Sequence, residues 1–333
     1  MPPLNAGADP LPPSPPSRGP VPAPGPMQVA TFYRFAPLAD PAGLRADLLQ
    51  VAAEAGIRGT ILLAHEGVNG TISGSADGVE QVLGRLRRCP GLEGLEAKFS
   101  QAPEQAFHRL KVRLKREIVS MGCGSITPAP SAIPVPPRQW DALIRDPDTL
   151  LIDSRNTYEV AIGSFEGAID PGTRSFREFP LWVDRQLGPL VAERRPRAIA
   201  LFCTGGIRCE KSTAYLLQRG FAPVHHLQGG ILRYLEEVPE PASSWQGECF
   251  VFDQRVSVNH RLEPGLHSLC HACGLPLSPA DRATPAFRQG VSCPHCIGRF
   301  SDGDRLRFAE RQRQMELARR RGGRHIGAAM PRR

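Results

Sequence analysis

Two sets of residues in this 333-residue chain have types and spacing suited to chemistry. The first is Leu201-Phe-Cys-Thr-Gly-Gly-Ile-Arg-Cys-Glu-Lys-Ser212. An apolar run, 198–202, ends in Cys203. Thr204, Gly205, Gly206 and Ile207 follow, then Arg208 and a helix-like segment closed by Gly220. That order predicts a strand–loop–helix unit with a thiol at its mouth. Backbone N–H groups, the positive end of the helix dipole and the Arg208 fork would face the sulfur, lower its pKa and make the thiolate a nucleophile. The small loop residues let several N–H groups converge on charge that develops there. Cys209 is either a resolving thiol for Cys203 or a small buried residue on the inner helix face. The second set is Cys270-x-x-Cys273 and Cys293-x-x-Cys296, separated by nineteen residues. Four thiolates from two tight turns suit a tetrahedral zinc ion, with iron as the rival metal. A closed four-thiolate site leaves no position for a reactant, so its role is structural. A metal would also explain how a segment so poor in core residues folds.

The elements that must position these groups follow from periodicity. Residues 1–26 hold eleven prolines and almost no large apolar groups, and read as a disordered tail; Met27 is a candidate start. Over 27–122 the pattern predicts strands at 29–35, 59–64, 70–74 and 110–119 and helices at 40–55 and 76–89. The order β-α-β-β-α-β is that of a ferredoxin-like (acylphosphatase-like) sandwich. Residues 123–138 are Pro-rich and linker-like. From 139 to 240, strands and helices alternate, with short apolar runs at 149–152, 198–202 and 224–227 suited to a buried parallel sheet. A Cys-rich segment (241–300) and an Arg-rich helix or tail (301–333) complete an α/β and α+β multidomain chain.

Further candidates lie on these elements. Lys111, Arg113 and Lys115 alternate with Leu110, Val112 and Leu114, which would face the core; the three cations either hold a phosphate backbone or form a solvated strand face. His65, Glu66 and Asn69 leave a strand as substrate contacts or as turn chemistry, Asn69-Gly70 being a hairpin signal in its own right. Asp153 either orients the reactive loop or caps the short helix after it.

Composition narrows the function classes. No apolar run approaches the roughly 20 residues needed to span a bilayer, and the N-terminus lacks the basic start and apolar core of a secretory signal. Paired C-x-x-C spacings read better as metal ligands in a reducing compartment than as disulfides, which points to the cytoplasm. Residues 297–333 carry eleven Arg against four acidic residues, nearly all of the chain's formal charge of +8. RNA is the natural partner for that excess, a solvated basic tail the alternative. No flavin, nicotinamide or open iron motif is present, and no feature specifies an oligomeric state.

Around Cys203, three further stretches resemble the rhodanese family: Asp153-Ser-Arg155, Gly163-Ser-Phe-Glu-Gly-Ala-Ile169, and Leu227-Gln-Gly-Gly-Ile231 followed by Tyr234. The resemblance implies that Cys203 carries a persulfide. Related phosphatases hold five residues between Cys and Arg; the four here imply a tighter pocket that suits sulfur better than phosphate. Cys-Thr-Gly-Gly-Ile-Arg-Cys-Glu-Lys211, Ala64-His-Glu-Gly-Val-Asn-Gly-Thr-Ile-Ser73 and Gly247-Glu-Cys-Phe-Val-Phe-Asp-Gln-Arg255 together resemble one branch, the tRNA uridine hydroxylases. That branch implies an oxidoreductase that makes 5-hydroxyuridine at the tRNA wobble position with molecular oxygen as co-substrate. A sulfurtransferase passing a persulfide from Cys203 to tRNA or a small acceptor is the rival enzyme. A zinc-containing RNA-binding or redox-sensing protein is the non-enzymatic rival. Whether Cys203 acts as free thiolate or persulfide stays open at this point.

Overall fold

The computed structural model describes residues 26–124, 126, 128 and 131–322. The proline-rich head at 1–25 and the last part of the Arg-rich tail, 323–333, lie outside the described residues.

The N-terminal unit runs β1 (Met27–Phe35), α1 (Pro41–Glu54), β2 (Arg58–Ala64), β3 (Gly67–Gly74), α2 (Ala76–Arg87), β4 (Ala97–Ala102) and β5 (Leu110–Leu114). Asp40 caps α1 by accepting from the Gly43 N–H at 2.9 Å, and Ser75 caps α2 by accepting from the Gly78 N–H at 3.2 Å. Leu44 and Leu48 of α1 and Val79, Val82, Leu83 and Leu86 of α2 bury one face of each helix against the sheet. The sheet has the order β4-β1-β3-β2-β5, with β2 and β5 parallel and the other pairs antiparallel.

Three expectations change here. The fourth strand of the sandwich is β4, not the run at Leu110, which instead adds a fifth strand at the far edge. Strand β4 escapes notice because it is a polar edge strand in which Phe99 is exposed and Ala102 is buried. Strand β5 ends at Leu114, which is 49% exposed, so only Val112 of its three apolar residues is fully in the core. The β2–β3 turn falls at His65-Glu66, and Asn69-Gly70 lies inside β3, paired with Tyr33 and Phe32 of β1. Gly70 is needed there for space: a Cβ would sit 2.8 Å from the Phe32 ring.

The central unit comprises β6 (Ile133–Val135), α3 (Pro137–Ile144), β7 (Thr149–Asp153), α4 (Thr157–Val160), β8 (Gly163–Phe165), α5 (Phe179–Trp182), α6 (Gly188–Arg194), β9 (Ala198–Phe202), α7 (Ile207–Gln218), β10 (Val224–Leu227) and α8 (Gly230–Glu237). Strand β6 lies within the Pro-rich stretch read as linker and pairs in parallel with β10. The four-stranded parallel sheet has the order β6-β10-β9-β7. The central strands β9 and β7 are mostly apolar because both faces of the sheet are covered there, while β10 carries His225 and His226. Ile199 and Leu201 of β9 pack with Phe179, Trp182 and Leu216, while Ala200 and Phe202 pack with Trp140, Tyr234 and Trp245. This alternation puts Cys203, next in line, on the Ile199 and Leu201 side, under α7.

The C-terminal segment has short strands β11 (Trp245–Gly247), β12 (Cys249–Phe250), β13 (Ser257–Val258), β14 (Ser268–Leu269) and β15 (Pro276–Leu277), then α9 (Pro279–Ala283) and α10 (Asp302–Arg320). Strand β11 pairs with β8, so the segment begins as an extension of the central unit. A capping box, Ser301 with Asp304, starts α10. No helix among the described residues is long and apolar enough to cross a membrane.

Candidate active site

Cys203 follows β9 and is fully buried. The start of α8 fixes its backbone: the Ile231 and Leu232 N–H groups donate to the Cys203 and Thr204 carbonyls at 3.0 and 3.1 Å. Gly230, with φ +70°, permits this approach; a Cβ there would lie 2.5 Å from the Cys203 carbonyl and 2.6 Å from the Gly206 nitrogen. Gly206, with φ +100°, turns its N–H onto the Cys203 sulfur at 3.1 Å. The loop Thr204-Gly205-Gly206-Ile207 thus wraps the thiol as its composition predicts.

Burial alone would push the Cys203 thiol up. The Cys209 thiol and N–H, the Arg208 charge and the Gly206 N–H outweigh burial and bring its pKa down to about 5. Cys209 is fully buried and its own pKa is pushed up, by burial first and then by donating to Cys203. It is therefore a buried thiol and a hydrogen-bond donor to the reactive sulfur. Ser154 Oγ lies 3.8 Å from its sulfur.

Arg208 does not point its fork at an open anion site. Both terminal nitrogens donate to Glu159, at 2.6 and 2.7 Å, and one also donates to Thr204 Oγ1 at 3.2 Å. Glu159 is fully buried, and although burial raises its pKa, the Arg208 charge holds it below the usual carboxylate range. The signal for Glu159 was the spacing Asn156-x-x-Glu159 at the start of α4, where Glu159 accepts from the Asn156 N–H at 3.2 Å. Asn156, not Asp153, is the cap. Asp153 is fully buried in a bidentate pair with Arg155, at 2.9 and 2.6 Å, and also accepts from Ser164. It has no surface with which to meet a substrate.

The N-terminal unit closes over this loop. Lys211, fully buried on α7, donates to Glu66 and Glu117, 2.9 and 2.8 Å away, and to the Val119 carbonyl at 3.3 Å. Glu66 also accepts from the Ile118 N–H, and Asn69 donates to the Ile118 carbonyl at 2.9 Å. The exposed His65 holds the Leu38 carbonyl at 3.0 Å through Nδ1. His65, Glu66 and Asn69 are thus bound to protein partners, with Glu66 in an inter-unit clamp. Tyr33 of β1 donates to Glu210 of α7 at 3.2 Å, and Lys98 of β4 donates to the Gly205 carbonyl at 2.9 Å. Beside these two contacts a cleft of about 690 Å³ opens between the units, lined by Tyr33, Phe35, Lys98, Glu210, Gly229 and Arg233 among others.

The C-terminal segment joins in. Arg255, paired with Asp253, donates to Ser100 Oγ of β4 at 2.8 Å, and the Phe252 ring, 57% exposed, lies 6.0 Å from the Arg208 guanidinium carbon. Lys111, Arg113 and Lys115 are not brought to the loop: they sit on or just past β5, at the sheet edge opposite β4, with Arg113 and Lys115 exposed.

Cys270, Cys273, Cys293 and Cys296 converge with all four sulfurs within 4.8 Å of one another. The Cys270–Cys296, Cys273–Cys293 and Cys293–Cys296 separations are 3.9, 3.7 and 3.5 Å. A tetrahedral metal with bonds of about 2.3 Å to sulfur sets these edges at about 3.8 Å, far beyond a disulfide bond. The donor set fits a structural metal. Cys249 is buried, and burial pushes its thiol up to about 12, away from the thiolate.

Residues 27–118 match the UPF0176 acylphosphatase like domain and residues 137–237 the rhodanese-like domain. The tRNA uridine(34) hydroxylase of Synechococcus sp. (strain CC9902) is 56% identical over 87% of this chain and 98% of its own length. Those of Prochlorococcus marinus (strain MIT 9303) and Gluconobacter oxydans (strain 621H) are 58% and 55% identical, over 87% and 91% of this chain and 94% and 97% of theirs.

Proposed function

The chain belongs to the tRNA uridine(34) hydroxylase family, and from that premise we propose that wobble-uridine hydroxylation runs at Cys203 with molecular oxygen. The observation that carries this reading is a thiol that accepts from the Gly206 N–H, next to Arg208, on the loop that all three parts of the chain touch. The cleft beside that loop admits the anticodon nucleotide, with Tyr33 and Phe35 as stacking surfaces. The Cys203 thiolate adds to the uracil ring and makes C5 electron-rich. One oxygen atom of dioxygen then enters at C5. The other leaves as water, taking two electrons and two protons from a thiol or persulfide reductant, and the sulfur departs as the ring is restored. RNA is held by the N-terminal unit and by the Arg-rich end. On α10, Arg307 and Arg313 pair with Asp304 and Glu310, while Arg319 and Arg320 close the helix with positive charge at its C-terminus.

The test is to supply isotopically labelled dioxygen to the protein and unmodified tRNA, then analyse the nucleosides by mass spectrometry. Label in the hydroxyl of 5-hydroxyuridine at position 34 is expected. Label arriving from water, or equal product under nitrogen, sinks the oxygen-dependent reading. A thionucleoside in its place establishes sulfur transfer.

The four-cysteine cluster takes zinc in this reading, as a cross-link that lets residues 266–300 fold. Cys293→Ala is expected to lose the metal and to expose that segment to proteases while the central unit stays intact, since a structural zinc supplies on the order of 10 kcal/mol to its segment. Metal analysis and limited proteolysis check this. An unchanged digest in a metal-free variant would refute it.

A further inference from the structure

We propose that Lys98 is the counter-ion of the Cys203 sulfur, a positioning residue supplied by the N-terminal unit to the reactive loop of the central one. The inference builds on the reading of Cys203 as the reactive group. The chain has four lysines, and two of them, Lys98 and Lys211, reach from one unit to the other beside this loop. Lys211 has two carboxylates. Lys98 has none within ion-pair distance among the described residues; its Nζ holds the Gly205 carbonyl at 2.9 Å and lies 5.5 Å from the centre of the Tyr33 ring. An ammonium at such a place needs negative charge nearby, and the sulfur two residues from Gly205 supplies it.

The surrounding charges favour this assignment. Arg208, the other cation at the loop, lowers the thiol but shares its guanidinium with Glu159 through two short hydrogen bonds. From β1, Tyr33 faces the loop; burial, then Glu210 and Cys203, push its phenol up, and it stays neutral. Glu210 of α7 accepts from Tyr33, and its carboxyl is pushed up by burial and down by Tyr33 and Lys98. Arg233 of α8 is neutralised by Glu237 at 2.6 Å. Glu96 and Glu236 stand further off on the cleft rim, and burial, the largest influence on Lys98, pushes its own pKa down while Cys203 pushes it up. Among the described residues Lys98 is therefore the cation at this loop without a carboxylate within ion-pair distance, and docking of the two units is what brings its charge to the loop.

The experiment reads the pH dependence of Cys203 alkylation by iodoacetamide, resolved by peptide mass spectrometry, in the full chain. Lys98→Gln keeps a donor for the Gly205 carbonyl but removes the charge; Lys98→Arg keeps the charge. The Gln variant is expected to raise the Cys203 midpoint by about one pH unit, slowing alkylation near pH 5 about fivefold, while the Arg variant stays near wild type. An unshifted midpoint in folded Lys98→Gln overturns the proposal, as does an equal shift in both variants, which marks simple loop anchoring. If Lys98→Gln does not fold, Lys98→Met with the far-ultraviolet thiolate absorbance difference against Cys203→Ser reads the same midpoint. None of these readouts requires hydroxylation. A Cys203→Ser variant that still made product would therefore sink the functional reading and leave the counter-ion result standing on its own.

Discussion

Cys203→Ser is expected to abolish wobble-uridine hydroxylation, with product falling on the order of a thousandfold or more. The loop itself should survive the change. Its shape rests on backbone groups: the Ile231 and Leu232 N–H groups on the Cys203 and Thr204 carbonyls, and the close packing of Gly230. What the serine loses is the anion. A thiol brought down to about 5 is almost wholly thiolate at neutral pH, whereas a serine hydroxyl stays protonated in the same ring of donors. Cys209→Ser should be much milder, within about tenfold, because a hydroxyl there still donates to the Cys203 sulfur and the backbone N–H is unchanged. The contrast separates a nucleophile from its support. The measurement is 5-hydroxyuridine per tRNA by nucleoside mass spectrometry, with circular dichroism to establish folding. Full product from Cys203→Ser would remove the thiol from the reaction, and equal losses in the two variants would make the pair, not Cys203 alone, the reacting unit.

The reactive loop was legible in the sequence because its chemistry is local. Four residues between Cys203 and Arg208, two of them glycine, admit few backbone paths, and the apolar run before them had to be a buried strand. The partners of the loop were not legible, because they come from far along the chain. Glu159 lies 49 residues from Arg208, Glu66 lies 145 from Lys211, and Lys98 lies 107 from Gly205. Composition offered one hint: in a chain whose cations are nearly all Arg, a lysine is an unusual choice, and two of the four lysines make inter-unit contacts. The three stretches that resemble the hydroxylase branch gain a common physical meaning. Glu66 of the 64–73 stretch pairs with the buried Lys211 of the Cys203 stretch, and the 247–255 stretch sets Arg255 against Ser100 and Phe252 beside Arg208. Each stretch holds one unit against another around Cys203. Strand β4 was missed for the opposite reason: as a polar edge strand it shows little alternation, yet it carries both Lys98 and Ser100.

Glu159→Ala is expected to destabilise the central unit by about 3–5 kcal/mol, the cost of leaving one member of a buried ion pair without its partner. Glu159 and the Arg208 side chain are 0% and 8% exposed, so water cannot replace the lost carboxylate. The same deletion removes the acceptor for the Thr204 hydroxyl at 3.3 Å and for the Asn156 N–H at 3.2 Å, so the loop and the start of α4 loosen together. Glu159→Gln keeps the shape and some acceptor capacity and should cost less, because the missing part is chiefly charge. The pH dependence has a definite sign. The Arg208 charge, prevailing over burial, holds the native carboxyl below its unfolded value. Its contribution is therefore fully present above the ordinary carboxylate range of about 4.3 and is lost as pH falls through the lower native value. The stability gap between wild type and Glu159→Gln should close on acidification from that range downward, and stay constant between about pH 6 and 8. Trp140, Trp182 and Trp245 all pack in this unit, so tryptophan fluorescence during urea unfolding reports on it directly. A loss under about 1 kcal/mol for Glu159→Ala, or a gap that widens in acid, would mean that Arg208 finds another partner when Glu159 is gone. The guanidinium would then be free to meet an anion entering the loop, and the role of Glu159 would be to restrain it.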